Sequence, residues 1–449
     1  TDKNLGLACA HITDYHNFVL QHLSDHNHYS IICNHPNFRQ ESFWKDINVQ
    51  LELLLKHRDL QFHERKFLRH NFEVKLPAFH VLPKVHKSLL RIQTRPIIGS
   101  LQWITTPASK ILDARLQSFM PIYTAILKNS QSLTQSLNEI THISENALLV
   151  TLDISSLYTN ICLSNLNQIL EQHGPLLSQL FRFVTYNNFF QYGDYIFKQL
   201  DGIAMGTNCA VSLANIYLGT LLDPYIQSHQ TVTFYKRYID DLFLIWNDTV
   251  VNLESFISML QNLIPGISFS YNFSTTSINF LDLEILLESQ EIHYRTYSKP
   301  MNKYLYITPR SCHPVHKFKG FIKGELERLK RNSSKREYFL HSAALFRFRL
   351  ISRGFSPYFL DKIFHRETTA TENQTSRPIA LVVNYDLRHN FPELLKQIKP
   401  LGESLIPFFK NPAASKFVIS YRKPPSVSQL IVRSKLTQEQ IEFLRCADF

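Results

Sequence analysis

The sequence has little glycine, few cysteines and no long apolar run, and each shortage excludes a class of protein. Only 12 of the 449 residues are glycine, which excludes collagen-like and low-complexity chains. The six cysteines lie far apart and form no CxxC pair, so they predict neither a disulfide framework nor a zinc ribbon. No apolar stretch reaches the length of a membrane span, and the N-terminal residues show no signal-peptide pattern. We therefore expect a protein that is neither secreted nor membrane-embedded, in the nucleus or the cytoplasm.

What the sequence does contain is apolar material for a large core and an excess of positive charge. Hydrophobic residues make up 44% and aromatic residues 12%, which excludes wholesale disorder, and the length predicts two or three domains. The formal net charge is +11. Fifteen basic residues stand against three acids between Arg295 and Arg353, so this segment carries the whole excess. A phosphate-binding surface is the favoured interpretation, with a solvated helical face as the alternative.

Cys312, His313 and His316 lie close together but have no clear fourth ligand, so a zinc-dependent binding module is only a distant alternative. The chain begins with Thr1 rather than Met, which is what a fragment would show.

Hydrophobic patterning places the main elements. A short apolar run from Leu148 ends in Asp153, which is typical of a buried strand. Apolar residues at helical spacing predict a helix over 210–221. The remaining predictions are a hairpin or loop over 76–99, strands over 233–238 and 242–246 that flank Asp240 and Asp241, two strands over 277–287 and 292–297, basic helices over 314–365, and a small extra unit from 380 onward.

Asp240 and Asp241 stand side by side at the tip of the predicted hairpin. Two adjacent acids raise each other's pKa unless a cation lies between them. Asp153 adds a third carboxylate from another strand, and carboxylates delivered in this way suit a pair of Mg²⁺ ions. An ordinary exposed turn is the alternative for an Asp-Asp pair.

Several segments, taken in order, resemble motifs of reverse transcriptases. Arg237–Phe243 (RYIDDLF) resembles their Tyr-x-Asp-Asp hairpin, and Leu152–Asn160 (LDISSLYTN) resembles their first catalytic strand. Gln199–Thr207 (QLDGIAMGT), followed by Ser212–Asn215 (SLAN), resembles the loop and helix between them. The sequences of these motifs are similar to those of the Penelope-like retroelements, which are related to telomerase reverse transcriptase. Segments similar to that branch are Asp2–Gly6 (DKNLG), Leu82–Lys87 (LPKVHK), Arg95–Ile97 (RPI), Asn279–Leu283 (NFLDL), Tyr297–Pro300 (YSKP) and Leu430–Leu436 (LIVRSKL).

The resemblance implies an α+β right-hand polymerase fold with fingers, an antiparallel-sheet palm carrying the Asp triad, and a helical thumb. It divides the chain into fingers with part of the palm over 1–147, palm over 148–300, basic thumb over 301–380 and a C-terminal extension over 381–449. The implied activity is RNA-directed DNA synthesis, by nucleotidyl transfer from a dNTP to a primer 3′-hydroxyl. The implied cofactors are two Mg²⁺ ions, for which Mn²⁺ could substitute.

By the same resemblance, Asp153 and Asp240 are metal ligands and Asp241 assists them. Tyr158 would lie under the sugar of the incoming nucleotide, where its ring excludes a 2′-hydroxyl; a half-buried strand aromatic is the alternative. Lys84 and Arg95, with Lys87 as a helper, would meet the triphosphate, unless they are surface bases on a hairpin.

Gly206 and Met205 would lie at the template–nucleotide pair. Because it has no side chain, Gly206 would let the backbone come close to this pair. The alternative is an ordinary glycine in the turn before a helix. Met205 stands where telomerase and many retroelement enzymes carry Gln, so no hydrogen bond to the nucleotide is expected from it. Lys299 is a candidate proton donor near the pyrophosphate, and Asp282 is expected to be structural.

The thumb would follow the phosphates of the template–primer duplex. Its candidate contacts are Lys317, Lys319, Lys323, Arg328, Lys330 and Arg331. The implied partners are an RNA template, a DNA primer or target, and dNTPs. Neither a GIY-YIG endonuclease nor its Cys/His cluster precedes Phe449, so an endonuclease is expected from a missing C-terminal region or from another protein. Two other functions stay open: a domesticated or decayed copy that binds nucleic acid without catalysis, and an RNA-dependent RNA polymerase, which Tyr158 opposes.

Overall fold

The computed structural model describes residues 10–33, 37–69, 72–85, 92–300, 302–311, 313, 315–364, 379–384, 397–398, 400–401 and 417–422. The chain divides into two compact units. The first unit comprises the chain up to Lys303 together with Arg331–Phe339, and the second comprises Tyr304–Lys330 and the chain from Leu340 onward. The predicted limits of fingers, palm and thumb stay predictions, because this division does not separate the first two.

The helices of the first unit are α1 (Ile12–Leu23), α2 (Ser42–Leu55), α3 (Phe62–Leu68), α4 (Thr106–Leu116), α5 (Ser130–Asn138), α6 (Leu157–Asn160), α7 (Leu163–His173), α8 (Pro175–Tyr186), α9 (Ala210–Leu221), α10 (Asp223–Gln227) and α11 (Val250–Leu263). Its strands are β1 (Tyr29–Cys33), β2 (Phe79–Pro83), β3 (Thr94–Ile98), β4 (Leu148–Ile154), β5 (Phe189–Tyr192), β6 (Tyr195–Gln199), β7 (Val232–Tyr238), β8 (Asp241–Trp246), β9 (Phe269–Ser274), β10 (Ser277–Phe280), β11 (Leu283–Glu288) and β12 (Glu291–Thr296). Short 3₁₀ turns lie at Phe38–Gln40 and Met120–Ile122.

A four-stranded antiparallel sheet in the order β7-β8-β4-β9 forms the centre of the first unit. Its inner strand β4 is the predicted apolar run, and Leu149 and Val150 on its two faces are fully buried. A strand covered on both faces needs such a continuous run, which is why β4 could be predicted from sequence. Three smaller antiparallel sheets have the orders β1-β6-β5, β2-β3 and β10-β11-β12.

Helix α9 is part of the core around most of its circumference. Leu213, Ala214, Tyr217 and Leu218 on it are fully buried. A helix that is apolar on all sides is normally packed within a protein, and α9 belongs to the same apolar cluster as β4 and β8. It therefore gives the central sheet a fixed backing.

The second unit contains α12 (Val315–Arg331), whose last residue belongs to the first unit, α13 (Arg336–Ser352), which starts there, and α14 (Pro357–Phe364). Within this unit the ring of Phe318 contacts Phe355, and Phe321 contacts Phe346. Two further strands, β13 (Ile379–Asn384) and β14 (Phe417–Arg422), pair in parallel. No helix among the described residues is both long and apolar enough to cross a bilayer.

The predicted strand pair around Asp240 and Asp241, the helix over 210–221, the hairpin within 76–99 and the basic helices are confirmed. The single strand predicted over 277–287 is wrong, because a two-residue turn divides it into β10 and β11. Leu281 has a positive φ of 55° in this turn, a conformation that glycine normally supplies. Strand β9, which pairs with the inner strand β4, was not predicted.

Candidate active site

Asp153 and Asp241 are direct neighbours across the two inner strands of the central sheet, β4 and β8. The Ile154 N–H donates to the Asp240 carbonyl at 3.0 Å, so these two residues form a hydrogen-bonded pair. Antiparallel pairs alternate, and the adjacent Asp153–Asp241 pair is therefore of the non-hydrogen-bonded kind, with Cα atoms about 4.5 Å apart and side chains on one face. The backbone alone thus brings two carboxylates together.

The turn between β7 and β8 holds the third carboxylate. Tyr238 pairs with Asp241, which leaves Ile239 and Asp240 as a two-residue loop. Ile239 has a φ of +56°, a conformation that type II′ turns normally fill with glycine. A β-branched residue in this region carries strain of about 1–3 kcal/mol, so the surrounding structure must hold the turn in place.

Tyr158 lies in α6, half-buried, close enough to Asp240 and Arg95 to interact electrostatically with both. Burial, followed by the negative charge of Asp240, raises the pKa of Tyr158 to about 12, while Arg95 opposes the rise. The phenol is therefore neutral at physiological pH. The structure brings together the predicted Asp240, Tyr158 and Arg95, which lie far apart in sequence.

The loop over 199–207 packs against the backbone beside Tyr158. The Ile203 N–H donates to the Tyr158 carbonyl at 2.7 Å. Gly202 has a φ of +73°, and a Cβ there would lie 2.6 Å from the Thr159 carbonyl oxygen. Glycine at 202 is thus needed for the loop to reach α6, a requirement that sequence reasoning missed.

The same loop joins the β2–β3 hairpin to the sheet. The Met205 carbonyl accepts from the Ile98 N–H at 2.9 Å. Gly206 has a φ of +120°, and a Cβ would lie 2.4 Å from the Ile98 carbonyl oxygen. Gly206 therefore has a structural reason to be glycine, and its contact with a nucleotide, like that of Met205, stays a prediction.

Lys84 and Arg95 stand on the β2–β3 hairpin. Arg95 pairs with Leu82, and the Lys84 N–H donates to the Gln93 carbonyl at 2.7 Å. His22 of α1 bonds the Thr94 hydroxyl at 2.8 Å, and burial together with the charge of Lys84 lowers the pKa of His22. Lys84 therefore lies near His22, whereas Arg95 lies near Tyr158. Lys87 falls outside the described residues.

The candidate thumb contacts differ in their surroundings. Lys317, Lys319, Lys323 and Lys330 are exposed on α12. Arg328 forms an ion pair with Glu325 at 2.7 Å. Arg331, which belongs to the first unit, donates to the Gln131 side-chain oxygen at 3.0 Å. Phosphate binding at all six positions stays a prediction.

Two further expectations concern single residues. Lys299 is exposed. Asp282 accepts from the Asn332 side-chain amide at 2.8 Å, as a structural carboxylate would. Cys312 of the Cys/His group lies outside the described residues.

Sequence reasoning also missed Arg237, which was recognised only as part of a motif. It is fully buried and forms a 2.7 Å ion pair with Asp223, the first residue of α10. Strand alternation places Arg237 on the same face of β7 as buried Tyr235, and this alternation was the available signal.

The carboxylates fit Mg²⁺ in kind, because this ion prefers oxygen ligands. Within the described part of the chain, no three His, Cys, Asp or Glu side chains form a cluster that could hold a metal. Mg²⁺ at polymerase sites is usually bound through one or two carboxylates plus substrate phosphates and water, so a preformed cluster of three is not needed. The Asp153–Asp241 pair satisfies that smaller requirement.

Residues 83–280 match the family model described as reverse transcriptase (RNA-dependent DNA polymerase). This range includes Asp153, the loop over 199–207 and the Asp240–Asp241 turn. This match, over less than half of the chain, supports a reverse transcriptase domain and an RNA-directed polymerase activity. No curated protein sequence matches the chain.

Several solved structures are similar to this chain. Telomerase from Candida albicans, in complex with a TWJ fragment of telomeric RNA, is 16% identical with a TM-score of 0.45, covering 82% of this chain and 67% of that one. The RNA-dependent RNA polymerase of a human picobirnavirus is 13% identical with a TM-score of 0.46, covering 79% and 77%. Apo telomerase from Candida tropicalis is 11% identical with a TM-score of 0.42, covering 76% and 69%. These TM-scores are below 0.5, so the family match and the sheet topology, not the superpositions, define a right-hand polymerase fold.

Proposed function

We propose that the protein is an RNA-directed DNA polymerase of a Penelope-like retroelement, which extends a primer 3′-hydroxyl with dNTPs. The observation that carries the proposal is the cross-strand pair of Asp153 and Asp241, with Asp240 in the adjoining turn, inside the matched domain. Two carboxylates directly opposite each other on paired strands repel one another unless a cation binds there. They are more easily explained as a metal site than as structural groups.

Asp153 and Asp240, assisted by Asp241, would hold two Mg²⁺ ions. Bound Mg²⁺ supplies activation of the attacking hydroxyl and stabilisation of the leaving oxygen. The carboxylates would fix the position of the site by their places on β4, the turn and β8. Arg95 on the hairpin, which interacts electrostatically with Tyr158, would add positive charge where the triphosphate would lie.

Tyr158 would select the sugar of the nucleotide. Its side chain interacts electrostatically with Asp240, and the Ile203 N–H donates to its backbone carbonyl. Because the phenol has a pKa of about 12, it stays uncharged while the enzyme works and adds no repulsion toward a triphosphate. A rigid neutral ring at this place would exclude a 2′-hydroxyl by its volume.

The exposed lysines of α12 would contact duplex phosphates. Lys317, Lys319, Lys323 and Lys330 carry mobile point charges suited to contacts that position a backbone without reading bases. Affinity for an RNA–DNA duplex should then fall steeply with salt.

The test is extension of a DNA primer on an RNA template, with dNTPs or rNTPs and Mg²⁺. Extension with dNTPs but not rNTPs supports the proposal, whereas extension with rNTPs only would reassign the protein to RNA synthesis. Tight, salt-sensitive duplex binding without extension would favour the non-catalytic copy instead. Asp46→Asn, a change on the exposed face of α2, is the matched control for substitutions of the site carboxylates.

A further inference from the structure

A fully buried arginine lies beneath the turn that carries Asp240. Arg237 is on β7, two residues before the turn residue Ile239, and its exposed fraction is 0%. Its Nε donates to one carboxylate oxygen of Asp223 at 2.9 Å, and its Nη2 donates to the other at 2.7 Å. The pairing is bidentate, which fixes the plane of the guanidinium.

The three remaining N–H groups of Arg237 are also used. Nη1 and Nη2 donate to the side-chain and backbone oxygens of Asn215 on α9, at 2.9 and 3.2 Å. Nη1 donates as well to the backbone carbonyl of Ile239, at 3.1 Å. A guanidinium has five N–H donors, so its hydrogen-bonding capacity is filled. One of these five bonds ends on the strained turn itself.

The two peptide groups on either side of Asp240 are therefore both anchored. Arg237 holds the carbonyl of Ile239, which precedes Asp240, and the Ile154 N–H holds the carbonyl of Asp240. Because Ile239 has a positive φ that a β-branched residue rarely adopts, the turn needs such anchors to keep this conformation.

Stability alone is a poor explanation for Arg237. Buried ion pairs contribute little net stability compared with apolar side chains of similar volume, because both charges lose their hydration. What an apolar residue could not supply is a donor directed at the Ile239 carbonyl. The network connects that carbonyl to α9 and α10, which belong to the core.

We propose that Arg237 is a positioning residue for the metal site, which holds the Ile239–Asp240 peptide so that Asp240 and Asp241 face Asp153. The inference rests on the proposed function, because it assigns Arg237 to the same carboxylates. The network transmits the rigidity of α9 to the turn. The expected ligand is a divalent cation, bound together with a duplex and a nucleotide.

The experiment measures Mn²⁺ binding directly by electron paramagnetic resonance. The sample is the full chain with a chain-terminated RNA–DNA primer–template and a dNTP. The main variant is Arg237→Met combined with Asp223→Leu, which removes both charges and leaves neither one buried alone. The control is Tyr235→Phe, because the Tyr235 hydroxyl donates to Asp223 at 2.8 Å but does not reach the turn.

We expect the double variant to keep its circular dichroism and its duplex affinity while its Mn²⁺ dissociation constant rises about tenfold or more, as for other groups that orient metal ligands. The Mn²⁺ dissociation constant of Tyr235→Phe should stay within about twofold of the wild-type value, because this hydroxyl does not contact the turn. If the double variant does not fold, Arg237→Lys takes its place, because lysine keeps the charge but lacks the planar fork.

Unchanged Mn²⁺ binding by a folded variant would overturn the role of Arg237 and leave the proposed function intact. Absence of Mn²⁺ binding by wild type itself, with the duplex bound, would instead overturn the proposed function and this inference with it.

Discussion

Asp153 and Asp241 face each other across β4 and β8 as a non-hydrogen-bonded pair, so two negative charges share the narrowest spacing that antiparallel strands offer. Like charges directly opposite in a sheet are destabilising. Where no cation lies between the two carboxylates, such a pair costs folding free energy, and this connects the stability of the sheet to its proposed chemistry.

The first prediction is that Asp153→Asn raises stability while it abolishes activity. In EDTA, removal of one charge should stabilise the protein by up to about 1 kcal/mol, since a cross-strand repulsion is lost. Primer extension should fall at least about a hundredfold, because several kcal/mol of transition-state stabilisation depend on the carboxylate. Thermal unfolding in EDTA and single-turnover extension measure the two effects. A variant less stable than wild type in EDTA would contradict the repulsion.

The second prediction concerns Tyr158. Tyr158→Ala should reduce the preference for dNTPs over rNTPs by at least about tenfold, the scale of a lost steric contact of 1–3 kcal/mol. Tyr158→Phe keeps the ring and should keep the preference. Because burial and Asp240 raise the pKa of Tyr158 to about 12, both Tyr158→Phe and wild type should show the same activity profile from pH 7 to pH 9. A profile that changes in Tyr158→Phe would contradict a neutral, purely steric role.

The third prediction compares two glycines, in order to distinguish the cost of a steric clash with an added Cβ from the cost of a positive φ. Gly206→Ala combines a positive φ with a Cβ 2.4 Å from the Ile98 carbonyl oxygen, so we expect a loss of more than about 2 kcal/mol. Gly193 also has a positive φ, but nothing lies within 4 Å of an added Cβ, so Gly193→Ala should cost only about 1 kcal/mol. Urea unfolding compares them. Equal losses would show that contact with Ile98 does not restrict position 206.

The fourth prediction is a pH dependence of stability from His22. Burial and the charge of Lys84 lower its pKa below the usual 6.5. Below pH 6.5 the unfolded chain binds a proton at His22 that the folded chain does not, so stability falls as pH falls. His22→Gln should lose less stability than wild type between pH 7.5 and 5.5. Thermal midpoints at both pH values test this, and parallel losses in wild type and His22→Gln would refute it.

The sequence was sufficient to predict those elements whose hydrophobic pattern is typical of one kind of secondary structure. The apolar run of β4, the all-round apolar helix α9 and the strands flanking Asp240 have patterns that few other structures share. The two aspartates could be placed at a turn because two β-rich runs flanked them. That they lie near Asp153 was predicted only from the resemblance to reverse transcriptases, because a local sequence pattern does not determine strand order or register.

The turns at Ile239 and Leu281 and the burial of Arg237 could not be predicted, because they depend on tertiary contacts. Ile239 and Leu281 both occupy positive-φ turn positions without being glycine, so no turn residue marked them, and the β10–β11 turn was missed. Arg237 is charged and would ordinarily be assigned to the surface, yet Asp223 and Asn215, which are brought to it by α10 and α9, satisfy it fully. Such partners could not be predicted before the fold was known.

The most direct test of the account is single-nucleotide extension of a DNA primer on an RNA template, with wild type, Asp153→Asn, Asp240→Asn, Asp241→Asn and the control Asp46→Asn at equal duplex occupancy. We expect dNTP addition by wild type and the control, and a loss of extension of at least about a hundredfold in Asp153→Asn and Asp240→Asn. Extension by Asp153→Asn at the wild-type rate would contradict it.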